Sequence, residues 1–196
     1  IGSNLIKTLR NQNHNIVCID NYSSGKISNH IKGVNYIKES SSNLEKVEHL
    51  LSNIELVYHL GEYSRIAPSF NEICRVWDNI VGTFKILEFC RKNHLKIIYA
   101  GSSTKFASEG VSHSPYSFSK AQNVELIKAY SKWYDLKYGI CYFYNVFGPG
   151  HGSTPVKGYE TVISIFENQY KNNQPLNIIG DGNQERMFTY VDDVVD

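Results

Sequence analysis

The stretch Lys96-Ile97-Ile98-Tyr99-Ala100-Gly101-Ser102-Ser103-Thr104 decides the fold, together with Pro115-Tyr116-Ser117-Phe118-Ser119-Lys120, which follows it. Residues 96–100 are a short apolar run, the pattern of a strand buried on both faces of a parallel sheet. The run closes on three hydroxyl residues. The second stretch opens a helix predicted over 115–133, with Pro115 near the first position, where a missing N–H costs nothing. Working outward, the same alternation repeats. Toward the N-terminus lie a strand at 54–60 with a long helix at 68–93, strands at 16–19 and 34–37, a helix at 44–51, and a first helix carrying Leu5, Ile6 and Leu9. Toward the C-terminus a strand covers 138–143. Such alternation predicts an α/β fold, a doubly wound parallel sheet with helices on both faces.

After Asn145 the composition shifts. Residues 147–155 form a loop by their Gly and Pro content, and 161–170 is helical. The segments 176–179 and 186–191 read as strands around the turn Gly180-Asp181-Gly182-Asn183. The chain therefore divides into a sheet unit, 1–145, and the start of a smaller second unit, 146–196. It begins Ile1-Gly2-Ser3 in a helical pattern without an initiator Met and ends in the first turn of another helix, so we read it as part of a longer protein.

Hydrophobic residues make up 41% of the 196, enough for a real core. The balance of 20 Lys+Arg against 19 Asp+Glu gives no electrostatic case for nucleic acid or a membrane surface. No apolar run approaches a membrane span, and no signal peptide is visible. Cys18, Cys74, Cys90 and Cys141 form no Cys-x-x-Cys pair and, standing largely in apolar stretches, read as reduced packing residues of a cytoplasmic protein.

Tyr116 and Lys120 stand at i and i+4 of the predicted helix, so they share one face. A free tyrosine titrates at about 10. A neighbouring ammonium favours the phenolate and makes it a usable base for a substrate hydroxyl. Taken alone, in a chain with 14 Tyr, the pair fits a surface contact equally well. Ser102 adds a hydroxyl at a strand end, able to bond the same substrate oxygen, though a loop serine is ordinary there. Asp20 ends the first visible strand, where a carboxylate can accept both ribose hydroxyls of an adenosine and repel a 2′-phosphate. That favours NAD over NADP, although a turn residue would look the same. Gly2 precedes Asp20 by 18 residues, near the spacing between the last glycine of a dinucleotide loop and the ribose carboxylate.

Taken in order, these motifs resemble the extended short-chain dehydrogenase/reductase family, the nucleotide-sugar epimerases and dehydratases. Ile1-Gly2-Ser3-Asn4-Leu5 is similar to the end of the family's Gly-x-x-Gly-x-x-Gly loop, and Asp20-Asn21 with Ser23-Ser24-Gly25 to its ribose-binding segment. Val57-Tyr58-His59-Leu60-Gly61 resembles the strand beneath the cofactor, with Gly where Ala is usual. Asn79-Ile80-Val81-Gly82-Thr83 resembles its Asn-x-x-Gly-Thr helix, and Asn145-Val146-Phe147-Gly148-Pro149 its Asn-Val-Tyr-Gly-Pro loop. Gly180-Asp181-Gly182, Arg186 and Tyr190-Val191-Asp192-Asp193-Val194 match its late signature. Lys105-Phe106-Ala107, Tyr142 and Met187 depart from it.

The resemblance implies a Rossmann domain over 1–145 whose central first strand precedes residue 1, and a substrate-binding region from 146 onward. It implies Ser102, Tyr116 and Lys120 as catalytic residues, with no metal. NAD would be held by Gly2, Asp20, Asn21, Leu60, Gly61, Asn79, Tyr116, Lys120 and Tyr144. A sugar nucleotide, a UDP-sugar by preference, would meet Ser102, Tyr116, Asn145 and Arg186, the last on its diphosphate. A homodimer through helices near 78–93 and 115–133 is implied as well. The dehydratases carry an Asp-Glu pair after the catalytic hydroxyl and the decarboxylases a Glu; here Ser103 and Thr104 take those places. What remains is 4-epimerisation through a transient ketone, of the UDP-glucose/UDP-galactose type. Decarboxylation, dehydration or reduction of a related sugar nucleotide, or a non-catalytic NAD-binding module, are the alternatives.

Overall fold

The computed structural model describes residues 1–106, 110–150 and 160–196. Ala107 and the 151–155 part of the predicted Gly/Pro loop lie outside the described residues. The first element is helix α1 (Gly2–Asn11), and strand β1 (Val17–Asp20) pairs in parallel with β2 (Asn35–Lys38). Strand β3 (Leu56–His59), helix α2 (Ile73–Lys92), β4 (Lys96–Ser102), helix α3 (Pro115–Tyr134) and β5 (Tyr138–Phe143) follow. Strand β4 lies between β3 and β5, parallel to both. The predicted parallel α/β architecture is therefore present, in separate β1–β2 and β3–β4–β5 ladders. Strand β6 (Val146–Phe147) is joined across the chain to β7 (Thr189–Tyr190), and helices α4 (Val162–Lys171) and α5 (Asp192–Val195) complete the described elements.

The core lies between β4 and the paired helices α2 and α3. Leu87 from α2, Ile97 from β4 and Ile127 from α3 are fully buried. Each such side chain contributes about 1.5–3 kcal/mol on leaving water. Tyr99 is equally buried in spite of its phenol, because the hydroxyl donates to Glu62 Oε2 at 2.8 Å. This layer is the floor from which the carboxyl end of β4 and the first turn of α3 present their side chains.

Several expectations need correction. The 44–51 helix is a pair of 3₁₀ turns, Ser41–Lys46 and Glu48–Leu50, with Asn43 outside helical geometry (φ −115°, ψ 27°). Ser40 Oγ takes the Ser42 N–H, and Asn43 Nδ2 donates to Glu39. Side chains of this kind compete with the helical ladder. The 68–93 helix begins only at Ile73, after a 3₁₀ turn Ala67–Phe70 that Pro68 initiates. Residues 176–179 form no strand: no described strand pairs with them, and Ile179 is 85% exposed. The 186–191 strand contracts to Thr189–Tyr190, while Gly180 and Gly182 do form the turn at φ +84° and +80°. Of the cysteines only Cys90 is buried, with its thiol pushed up to about 12 by desolvation; Cys74 and Cys141 are exposed.

Candidate active site

Helix α3 begins where Ser114 takes the Ser117 N–H at 3.1 Å, and Pro115 supplies the first helical position. That start fixes the first turn and buries Tyr116 and Lys120 on the core side. Strand β4 runs its last residue, Ser102, to the same point. The Tyr116 hydroxyl donates to Ser102 Oγ at 3.1 Å, and both residues are buried. Thr104 Oγ1 donates to the same Ser102 Oγ at 2.9 Å. The pair is therefore no surface contact, and one hydroxyl network joins residues from a strand end and a helix start.

Lys120 is held by a partner that the sequence did not announce. Its ammonium donates to Glu62 Oε2 and, at 2.5 Å, to the Ala100 carbonyl. The Glu62 side chain is 2% exposed. Its Oε1 accepts from Thr83 Oγ1 and Asn123 Nδ2, each at 2.7 Å, with His59 Nε2 at 3.4 Å. Burial alone would raise this carboxyl. Lys120 and then His59, by charge and hydrogen bonding, more than offset it and hold the group well below the usual carboxylate range. Glu62 directly follows Gly61, and a single acidic residue past a strand end gives no signal of turning inward.

Asp20 sits at the carboxyl end of β1, half-buried. Its Oδ1 takes the Tyr22 N–H at 2.7 Å, and the following loop folds against the carboxylate. Gly25 permits that approach: a Cβ there would stand 2.9 Å from Asp20 Oδ2. The carboxylate thus keeps one oxygen beside an open glycine, which fits a ribose hydroxyl. Asn21 is exposed and caps its own turn, accepting from Ser23 N at 2.9 Å. Gly2 opens α1, and nothing beyond its own helix and chain neighbours stands within 4 Å of where its Cβ would lie. Leu60 and Gly61 lead from β3 toward Glu62, half-buried and exposed respectively. Asn79 is buried and clamps the backbone of Tyr63, accepting its N–H at 2.7 Å and donating to its carbonyl at 3.0 Å. Tyr144 is 37% exposed at the end of β5.

Asn145 is tied to the residue that follows Arg186. Asn145 Nδ2 donates to the Met187 carbonyl at 2.8 Å, and the β6–β7 pair carries both segments. Gly148, at φ +136°, lets the chain pass Val191, whose Cγ1 would lie 2.6 Å from a Cβ. Arg186 is exposed, its guanidinium donating to the Glu185 carbonyl at 2.7 Å. Asn4 of α1 donates to the Pro149 carbonyl at 3.0 Å, and α5 packs on α1. The segment after residue 145 therefore rests in part on α1.

A parallel α/β sheet with an acid at the end of β1 is the arrangement of a dinucleotide-binding fold, and Ser102, Tyr116 and Lys120 gather at the carboxyl end of β4, where such a fold binds its ligands. The match to known families agrees: the chain belongs to the NAD dependent epimerase/dehydratase family, whose model covers residues 1–196. Over 208 residues it is 31% identical to a putative UDP-glucose 4-epimerase of Methanocaldococcus jannaschii, covering 99% of this chain and 67% of that protein. It is 24% identical over 213 residues to UDP-glucuronic acid decarboxylase 4 of Arabidopsis thaliana, covering 100% of this chain and 47% of that one. Among solved structures, UDP-glucose 4-epimerase of Thermotoga maritima with UDP-glucose superposes with a TM-score of 0.90 at 28% identity, over 99% of this chain and 67% of that one. The cofactor of the family is NAD, and the acid and glycine at the end of β1 fit it. Among the described residues no helix is long and apolar enough to cross a membrane, and no three His, Cys, Asp or Glu side chains are grouped to hold a metal ion.

Proposed function

We propose that the protein carrying this chain is a 4-epimerase of a nucleotide-diphosphate sugar, of the UDP-glucose/UDP-galactose type. The observation that carries the reading is the Tyr116–Ser102 hydrogen bond of 3.1 Å beside the Lys120 ammonium, with a hydroxyl residue, Thr104, and no acid following the serine. Tyr116 takes the proton of the sugar 4-hydroxyl while Ser102 Oγ holds that oxygen. Lys120 favours the phenolate and offers an N–H toward the cofactor ribose. NAD, when bound, would supply the hydride acceptor for oxidation at C4 and the hydride donor for reduction of the ketone on its other face. Tyr116 then gives the proton back, so no further acid or base is required. Asn145 contacts the substrate, and Arg186 pairs with the diphosphate.

The reading includes a homodimer and a cytoplasmic location. Trp77, Val81 and Phe84 expose an apolar stripe on α2, and Phe118 stands exposed on α3, which suits a helix-to-helix contact. The described residues contain four free cysteines, as a reducing compartment favours. The test is to incubate the intact protein with UDP-galactose and NAD. Formation of UDP-glucose with no loss of water supports the epimerase; loss of water, release of carbon dioxide from a UDP-hexuronate offered in a parallel sample, or no turnover of several UDP-hexoses, overturns it. Sedimentation of the same sample checks the dimer.

A further inference from the structure

Glu62 is a buried carboxylate that the reaction read above does not use. It is faced by Lys120 and Asn123 from α3, His59 from β3, Thr83 from α2 and Tyr99 from β4, and all five lie within hydrogen-bond or ion-pair reach. Lys120 is its cationic partner in that shell, and Tyr116 is one helical turn from Lys120 on the same face. Two of the three ammonium N–H groups are committed, to Glu62 and to the Ala100 carbonyl, which leaves one for a ligand. The ammonium also lies 4.7 Å from the centroid of the Tyr99 ring. A flexible lysine is thus fixed in a single position, one turn from Tyr116 along α3, by a carboxylate that balances part of its charge.

We infer that Glu62 is a positioning residue of the site: it holds the Lys120 ammonium in place and offsets part of its charge at Tyr116, and so sets the pH at which Tyr116 gives up its proton. The inference rests on Tyr116 being the base. A carboxylate placed only for stability would leave the tyrosine's titration where it stands. One acting through Lys120 would move it, because removing a unit charge several ångströms away in a protein interior shifts a titration by about one pH unit or more.

The experiment is a titration of the intact protein, free of NAD, with tyrosine labelled at Cζ with carbon-13. The Tyr116 resonance is assigned by its loss in Tyr116→Phe. In Glu62→Gln its midpoint falls by about one pH unit or more, since Lys120 is then uncompensated. A midpoint that is unchanged or higher overturns the inference. Because the variant can fail to fold, a second measurement uses the unaltered protein labelled with nitrogen-15 lysine. An exchange-protected ammonium signal is seen near neutral pH and disappears in Lys120→Arg; its absence overturns the inference equally. The pH–rate profile separates the two levels of the reading. When the acid limb of UDP-galactose turnover moves with the resonance, both stand. When the resonance moves and the limb does not, the coupling stands and Tyr116 loses its role as base.

Discussion

Replacing Glu62 by alanine takes the counter-charge from a lysine that is 6% exposed. Breaking a buried ion pair by removing one partner costs about 3–5 kcal/mol. Thr83, Asn123 and Tyr99 lose an acceptor in the same step. Those losses share one site and do not simply add, so we take the pair figure as the expected cost. Against a total stability of about 5–15 kcal/mol the variant stays folded but marginal. For a chain of this size the loss lowers the melting temperature by roughly 6–20 °C. Urea unfolding followed by circular dichroism reads it directly. The pH dependence gives a second check. Glu62 is held below its ordinary 4.5 in the folded protein, so its contribution is fully present above that pH and is lost as the pH falls below it. The stability gap between wild type and Glu62→Ala therefore narrows on acidification from 4.5 downward. A loss under about 1 kcal/mol at neutral pH, as expected of an exposed pair, or a gap that stays constant on acidification, refutes the reasoning.

Tyr116→Phe removes the hydroxyl bonded to Ser102 and little else. Turnover of UDP-galactose falls about 10²–10⁴-fold with the melting temperature nearly unchanged, and a fall below tenfold rejects Tyr116 as base. Gly25→Ala pushes a methyl group against the Asp20 carboxylate, 2.9 Å away. Calorimetry shows NAD bound about tenfold more weakly, as losing one hydrogen bond to a charged group implies; unchanged affinity separates Asp20 from the ribose. Gly148→Ala combines a φ of +136° with a contact on Val191 and costs about 1–3 kcal/mol. Hydrogen exchange at the Val191 amide, which donates to the Phe147 carbonyl at 2.8 Å, reports the opening of the β6–β7 pair. Retained protection there contradicts the steric reading.

The parts of the site that were legible in the sequence are those set by local geometry. Tyr116 and Lys120 share a face because helices repeat at 3.6 residues, and Ser102 stands at a strand end because the apolar run before it is short. Asp20 was placed by the same logic. The link from Asn145 to the Arg186 segment was visible only as two neighbouring motifs of a resemblance; the β6–β7 pairing that joins them is a tertiary fact. The expected strand at 176–179 failed for the complementary reason. Its Leu-Asn-Ile-Ile pattern is apolar enough, but a strand needs a partner, and periodicity carries no information about one. The turns at 41–50 went astray because Ser40 and Asn43 offer the backbone other partners than its own ladder.

Glu62 belongs to the illegible part, since its contact with Lys120 spans 58 residues. It also bears on the reaction. Epimerisation was favoured because Ser103 and Thr104 supply no acid, and a carboxylate brought to the pair by the fold could have reversed that preference. The geometry answers the objection. Dehydration needs a carboxyl that can give a proton to the leaving hydroxyl and a carboxylate that can take one from carbon. Glu62 accepts from Lys120 and Tyr99 on one oxygen and from Thr83 and Asn123 on the other, and its side chain is 2% exposed. Protonating it would break an ion pair and strand buried donors, which is the reason it is held so acidic. A group bound in this way serves as a fixed charge. On the proposed reading, the acid that the fold adds beside Lys120 gives the sugar no second proton donor, and simple oxidation and return of hydride stays the reaction we propose.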